Sequence, residues 1–382
     1  MDIEVKTEYL RKVVSCASRA TSNKAIQPIL NNILLSCVDG SLKISATDLD
    51  LAIECKLPAE VTKPGKITLP AKKFDEIVSK VPGENITLSS DKNQLTKIKS
   101  DKSKFQINGV SPEDFPEMVK KFEEEKEYVI SQDELLQAIS LTSFATSKFE
   151  SNSILSGANF EISGEGKFEI AATDGSRLAR YTGKLSKSTN NLKGGKLKDS
   201  AIIPGRALVE LERLLTIFKI GNDTVSIYFM PGQIIFQNND FLLSTRLIDG
   251  TFPAYDKLIP ESQSNKAIFS RSRLLLALER VAILANERTN VIKMSINKST
   301  SIAQLSAHSP DYGNATDEVD LEYKGSDLEI AFNYKFLAEV LRNLQVDSVL
   351  IELENSLSPL ILIPNGNVDF GYTYLIMPVQ LR

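Results

Sequence analysis

The chain has 382 residues, of which 42% are hydrophobic and 25% charged, with a formal net charge of −4 and three cysteines. This is the composition of an ordinary globular protein with material for two or three domains. It argues against a uniformly basic nucleic-acid binder, so any such contact must be local.

No window approaches the apolar run of about 18 residues that a membrane span needs. The N-terminus, with Asp2, Glu4, Lys6 and Glu8, has no apolar signal core, so a cytoplasmic protein without membrane contact is expected. Cys16, Cys37 and Cys55 are odd in number and lack CxxC spacing, which disfavours a disulfide framework or a zinc site. They read as small buried apolar side chains, and no cofactor or metal is expected.

In chain order, a strand and a helix open the sequence in IEVKTEYLRKVV from Ile3, and LLSCVDGSLKISATD then alternates with period two around a turn at Asp39-Gly40. A second helix follows TLP at Pro70, and the segment closes on Phe115-Pro116 and the charged run KKFEEEKE, 120–127. The order then recurs. YVISQDELLQAI from Tyr128 supplies strand and helix, NFEISGEGKFEIAATD turns at Gly164 to Gly166, and a helix follows IIP at Pro204. Phe252-Pro253 and the polar stretch ESQSNK, 261–266, end this copy, while SKSTNNLKGGKLKDS, 186–200, has no periodicity and reads as a loop. A third copy starts with AIFSRSRLLLAL from Ala267, has its second helix after AFN at Asn333, and turns at Asn365-Gly366 within PLILIPNGNVDFGYTYLI.

Leu10, Leu135 and Leu274 fall at equivalent positions, and Ala46-Thr47-Asp48 repeats as Ala172-Thr173-Asp174, with Ala307-His308-Ser309 a weaker third echo. The repeat is a domain in itself. The predicted architecture is α+β, with three domains at 1–127, 128–255 and 256–382, each a pair of helices packed on antiparallel sheet.

Helical periodicity puts Tyr9, Leu10, Val13, Val14 and Ala17 on one face of the first helix and Arg11, Lys12, Ser15 and Arg19 on the other. In the helix after Pro204, Leu208, Val209, Leu211 and Leu215 point inward, and Arg206, Glu210 and Arg213 outward. Lys73 and Lys80, Arg273 and Arg280 with Arg288 nearby, and Lys335 with Arg342 extend the pattern, so five of six predicted helices expose cations opposite an apolar face. A charged outer face is ordinary for one helix. Recurrence over five suggests a surface that neutralises phosphates without reading bases. Absence of Trp and scarcity of aromatics on these faces disfavour stacking on single strands, leaving duplex as the partner.

Catalysis is not expected. His308 is the only histidine and lies in a polar segment, no metal-ligand spacing appears, and Asp48 and Asp174 sit at turn-like steps where local hydrogen bonding is the usual role. Gly164-Glu165-Gly166 lacks the Gly-Lys-Ser/Thr ending of a phosphate loop. A protein-interaction scaffold that never touches DNA remains the rival reading.

ATDLDLA from Ala46, ITLPAKKF from Ile67, ATDGSRLA from Ala172, LIDGTFPAYDKLIP from Leu247 and IMPVQLR from Ile376 resemble signature segments of bacterial DNA polymerase III beta subunits, and the resemblance spans essentially the whole chain. It implies a sliding clamp and processivity factor, a head-to-tail homodimer whose six domains close into a ring, helices inside and sheets outside. Given a closed ring, helices about 10 Å apart support the dimer: six would span an axis-to-axis diameter of roughly 19 Å, twelve roughly 38 Å, and only the second admits a duplex. Head-to-tail closure is heterologous, joining domain one to the partner's domain three.

The resemblance further implies a groove between the second and third domains for short peptides of the DNA polymerase III catalytic subunit, the clamp loader and repair proteins carrying a clamp-binding motif. Its walls would be Leu155, Thr173, Gly175, Ser176, Arg177 and Leu178, then Pro253, Lys257 and Leu258, then Asn333, Phe336, Leu357 and Pro359, closed by Leu375, Ile376, Met377, Pro378 and Val379. Ser176 stands where many relatives carry His, Lys257 where Arg is common, and Gln380 where Arg is usual, so an altered peptide preference is expected. For DNA it points to Lys24 and Arg206, with Lys72, Lys73, Arg271 and Arg273 as weaker candidates and Lys148 and Lys198 as possible loop contacts.

Overall fold

Six α-helices occur among the described residues, two per repeat: α1 (Thr7–Ala17), α2 (Ala71–Lys80), α3 (Gln132–Ser140), α4 (Gly205–Ile217), α5 (Arg271–Ala282) and α6 (Tyr334–Asn343). The computed structural model describes residues 1–22, 27–38, 40–118, 126–148, 153–163, 166–188, 199–219 and 223–380. The expected turn residues Asp39, Gly164 and Glu165, Lys24, Lys198 and most of the 120–127 and 186–200 segments lie outside them.

Each helix buries a stripe at the spacing that the sequence announces. In α1 it is Leu10, Val13, Val14 and Ala17, joined by Cys16; in α2 it is Ala71, Phe74 and Val78; in α5 it is Leu274, Ala277, Leu278 and Val281. Two placements differ from the periodicity. Tyr9 is exposed, because the buried stripe of α1 turns toward Cys16 instead. In α4, Leu214 is buried, Val209 is 37% exposed and the carboxylate of Glu210 is buried, which rotates the inner face from the one expected.

Strand pairing is antiparallel and organises the chain into two compact units, each cutting into the middle repeat. The first unit holds a five-stranded sheet of the first repeat and a nine-stranded sheet. In the nine-stranded sheet Leu51–Pro58 of the first repeat pairs with Phe241–Arg246 of the second, in a register that sets Leu51 against Thr245 and Cys55 against Phe241. The second unit holds a twelve-stranded sheet, joined where Arg177–Lys184 of the middle repeat pairs with Gly371–Ile376 of the last, Leu178 opposite Leu375 and Thr182 opposite Gly371. Neighbouring repeats are thus fused by main-chain ladders, which periodicity along one strand does not reveal.

The two helices of each repeat are also tied by a capping contact. A helix ends with carbonyls that lack an intrahelical partner. For α2 these accept from Arg11, whose Nε reaches Val78 O at 3.3 Å and Nη2 reaches Val81 O at 3.2 Å. For α4 the buried Gln132 donates to Leu215 O at 2.8 Å and Phe218 O at 3.0 Å. For α6, Arg271 Nη1 donates to Leu341 O at 2.7 Å and its Nε to Val346 O at 3.0 Å. Arg11, assigned by periodicity to an outer face, and Arg271, a weaker DNA candidate from the resemblance, are therefore helix caps.

Candidate functional site

The residues expected to form a groove all belong to the second unit, and its fold draws several of them together. The turn after the strand Lys167–Thr173 is built by side chains reaching back to backbone: Thr173 Oγ1 donates to Arg177 O at 2.6 Å and accepts from Gly175 N at 3.1 Å, while Asp174 Oδ1 accepts from Ser176 N at 3.0 Å. Gly175 sits at φ +88°, a conformation that favours glycine. The strand Gly371–Ile376 runs alongside, and its extension is pinned on both sides: Met377 N donates to Ser176 O at 2.9 Å and Val379 N to Ala331 O at 2.7 Å. Asn333 caps α6 by accepting from Lys335 N at 3.0 Å, and Tyr374 donates to Phe336 O at 3.1 Å.

Exposure divides the set. Met377 (43% exposed), Leu258 (56%) and Leu357 (64%) are apolar side chains offered to solvent, as large apolar groups at binding surfaces are. Leu357 and Val379 also share the wall of a cavity of about 310 Å³ with Lys293, Glu329 and Gln380. Leu178 and Leu375, by contrast, belong to a buried cluster with Ala171, Tyr255 and Ile361, and Ile376 is wholly buried. Leu178 and Leu375, opposite one another in the ladder, share one face of the sheet, and Ile376, next along the strand, points to the other. Gly175, Ser176, Pro253 and Lys257 are exposed, and Leu155, Asn333, Phe336, Pro359 and Pro378 half-buried.

Arg177 is 5% exposed and engaged on every side, which corrects its expected place in the groove wall. Its Nε bonds Asp174 Oδ2 at 2.9 Å, Nη1 bonds Glu339 of α6, and Nη2 donates to Phe144 O at 2.6 Å. The guanidinium also lies over the Phe336 ring at 4.4 Å and the Phe144 ring at 5.5 Å. A second network fixes the turn Tyr255–Leu258: the Tyr255 hydroxyl donates to Glu169 Oε1 at 2.5 Å, and Arg180 Nε donates to Glu169 Oε2 at 2.7 Å. Burial, reinforced by the Glu169 carboxylate, raises the Tyr255 pKa and keeps that hydroxyl a donor. Sequence reading missed Glu339, Phe144 and Glu169, because each acts through a partner distant along the chain.

In the first unit, three helical segments converge on a cavity of about 400 Å³ lined by Arg19, Lys72 and Arg206, with Ser15, Asp75 and Glu210. Arg206 is half-exposed and held in place, its Nη1 on Asp48 Oδ2 at 2.5 Å and its Nη2 donating to Arg19 O at 2.6 Å. Lys72 is exposed and has no carboxylate partner among the described residues, whereas Lys73 pairs with Glu76 at 2.7 Å. In the second unit Arg273 lies 3.7 Å from Asp320, Arg280 2.6 Å from Asp317, and Arg342 2.8 Å from Glu279. The helix faces are therefore less cationic than the count of Lys and Arg suggests. Arg271, half-buried and turned onto the end of α6, is poorly placed as a phosphate ligand.

Three family models cover the chain in order: the DNA polymerase III beta subunit N-terminal domain over residues 1–119, the central domain over 129–254 and the C-terminal domain over 256–380. A beta sliding clamp of Synechococcus elongatus is 34% identical, with both chains covered completely. Among solved structures, the Pseudomonas aeruginosa sliding clamp bound to griselimycin superposes with a TM-score of 0.87 at 28% identity, and the Bacillus subtilis DNA polymerase sliding clamp with 0.86 at 27%, each over the full length of both chains. With that coverage, and with helices on antiparallel sheet in each of three repeats, the chain belongs to the DNA polymerase III beta subunit family, the beta sliding clamps.

Proposed function

We propose that this chain is a DNA polymerase processivity factor that pairs head to tail with a second copy, closes into a ring around duplex DNA, and tethers a polymerase catalytic subunit, a clamp loader and repair proteins. It does no chemistry of its own. The three repeats, 1–127, 128–255 and 256–382, are the domains of that ring, and the protein works in the cytoplasm. No helix among the described residues is long and apolar enough to cross a membrane.

The observation that carries the DNA reading is the gathering of Arg19, Lys72 and Arg206 around one cavity, where they outnumber the carboxylates Asp75 and Glu210 that also line it, in a chain whose net charge is −4. Such a cluster neutralises phosphates locally and reads no sequence. Head-to-tail pairing is supported by unlike surfaces on the two units. The edge strand Ser103–Asn108 carries Phe105, 37% exposed, while Leu276 in the middle of α5 and Ile283 just past its end are 54% and 77% exposed. An open edge and an apolar patch are both features that proteins normally cover. Exposed Met377, Leu258 and Leu357 are the apolar anchors for a partner peptide, with Ser176 and Lys257 as polar neighbours.

The deciding experiment is topological. Loaded on a nicked circular plasmid, the protein stays bound through gel filtration and is released once the plasmid is linearised. Retention on the linear product, or a monomeric mass at micromolar concentration, refutes the ring.

A further inference from the structure

The second helices of the three repeats begin at equivalent positions, after Pro70, Pro204 and Asn333, and each carries a glutamate as its sixth residue: Glu76, Glu210 and Glu339. Their surroundings differ. In the second unit Glu339 bonds Arg177, the residue that the Asp174 turn supplies. In the first unit the corresponding turn is one residue shorter, ATD-LD-LA against ATD-GSR-LA, and contains no arginine. There Leu49 occupies φ +80° and is 55% exposed. Among the described residues the buried Oε2 of Glu210 then accepts no hydrogen bond, although Arg213 lies 3.7 Å away. Glu339 thus has a hydrogen-bonded guanidinium from the turn, whereas among the described residues Glu210 has only Arg213 of its own helix, at 3.7 Å.

We infer that Glu339 is a positioning residue for the peptide surface: through Arg177 it locks α6 to the Asp174 turn, and so sets the Phe336 ring and the Ser176 backbone against Met377. This rests on the reading of that surface as the peptide site. The chain of contacts is continuous. Glu339 holds Nη1 of Arg177, the guanidinium plane packs on Phe336 at 4.4 Å, and Ser176 O receives Met377 N at 2.9 Å. Arg177 is nearly inaccessible, so its part is support; the apolar groups that it fixes are the ones a ligand touches. A buried guanidinium with three acceptors in place has one orientation available, which lowers the ordering that a ligand must impose.

The test uses the full-length protein and a fluorescein-labelled hexapeptide with leucine and phenylalanine anchors, followed by anisotropy. A fluorine label on the Phe336 ring reports its environment without peptide. Glu339→Leu, which leaves the Arg177 charge short of one partner, is expected to weaken the peptide about tenfold and shift the fluorine resonance. Glu339→Gln keeps an oxygen acceptor and is expected to restore binding to within about threefold of the parent, with the resonance unshifted. Wild-type affinity in Glu339→Leu, or a loss of affinity with the fluorine signal unmoved, overturns the inference. Met377→Ala separates the two levels: if it leaves peptide affinity unchanged the site itself is misassigned, whereas if it weakens binding and Glu339→Leu does not, only the positioning role fails.

Discussion

Arg271 separates a structural from a DNA-binding role more cleanly than any other cation of the helices. Alanine at this position removes two charge-assisted hydrogen bonds, to Leu341 O at 2.7 Å and Val346 O at 3.0 Å, and leaves the last turn of α6 without its cap. Hydrogen bonds to charged groups contribute about 1.5–3 kcal/mol each, and a half-buried site belongs at the lower end, so the pair amounts to roughly 3 kcal/mol. With a urea dependence of about 2 kcal/mol per molar, the unfolding midpoint of the second unit falls by roughly 1.5 M. DNA binding is followed in parallel on a short linear duplex as the logarithm of affinity against the logarithm of salt concentration. Each lost phosphate contact lowers that slope by about 0.9, and Arg271→Ala leaves it unchanged. Lys72→Ala gives the opposite pattern, a slope reduced by about 0.9 with the urea midpoint intact. A reduced slope with normal stability in Arg271→Ala refutes the capping assignment.

Deleting Met377 onward removes the exposed anchor and the two backbone bonds that pin it, to Ser176 O and Ala331 O; the labelled peptide no longer binds, while analytical ultracentrifugation still finds a dimer. Glu210 is held above the ordinary carboxylate range, chiefly by burial and against the pull of Arg213, Arg19 and Arg206. A raised folded-state pKa means that the group favours folding fully below its unfolded value of about 4.3 and loses that contribution as pH rises through the folded value. Glu210→Gln is therefore more stable than the parent to urea at pH 7.5, and the gap closes toward pH 4; a constant gap contradicts the assignment. Burial pushes the Cys16 thiol up to about 12, and Cys37 and Cys55 are raised by the same cause, so iodoacetamide at pH 8 leaves all three unlabelled by mass spectrometry until urea unfolds the chain.

The triplicated plan and the helices were legible because both are written in local signals, the spacing of Leu10, Val13, Val14 and Ala17 for one helix and the recurring Ala-Thr-Asp step for the register. What escaped were long-range pairings. Asp48 pairs with Arg206 from 158 residues away and Glu339 reaches Arg177 across 162, and neither pairing leaves a mark in local periodicity. Glu210 read as an outward residue because helical spacing places it beside Arg206 and Arg213, yet it is 5% exposed. Arg177 was legible as part of the site only through the segment it belongs to, and its burial was not. The glutamate shared by the three second helices was readable from the register alone, and its meaning emerged once one copy was hydrogen-bonded to a turn arginine and another had a buried oxygen without a hydrogen bond.

Where Arg177–Lys184 meets Gly371–Ile376, peptide groups do the joining, and they are the same whatever side chains flank them. Under the proposed peptide reading, exchanging Ser176, Lys257 or Gln380, none of which lies in the paired strands, is expected to change which short sequences are accepted while the ladder underneath stands.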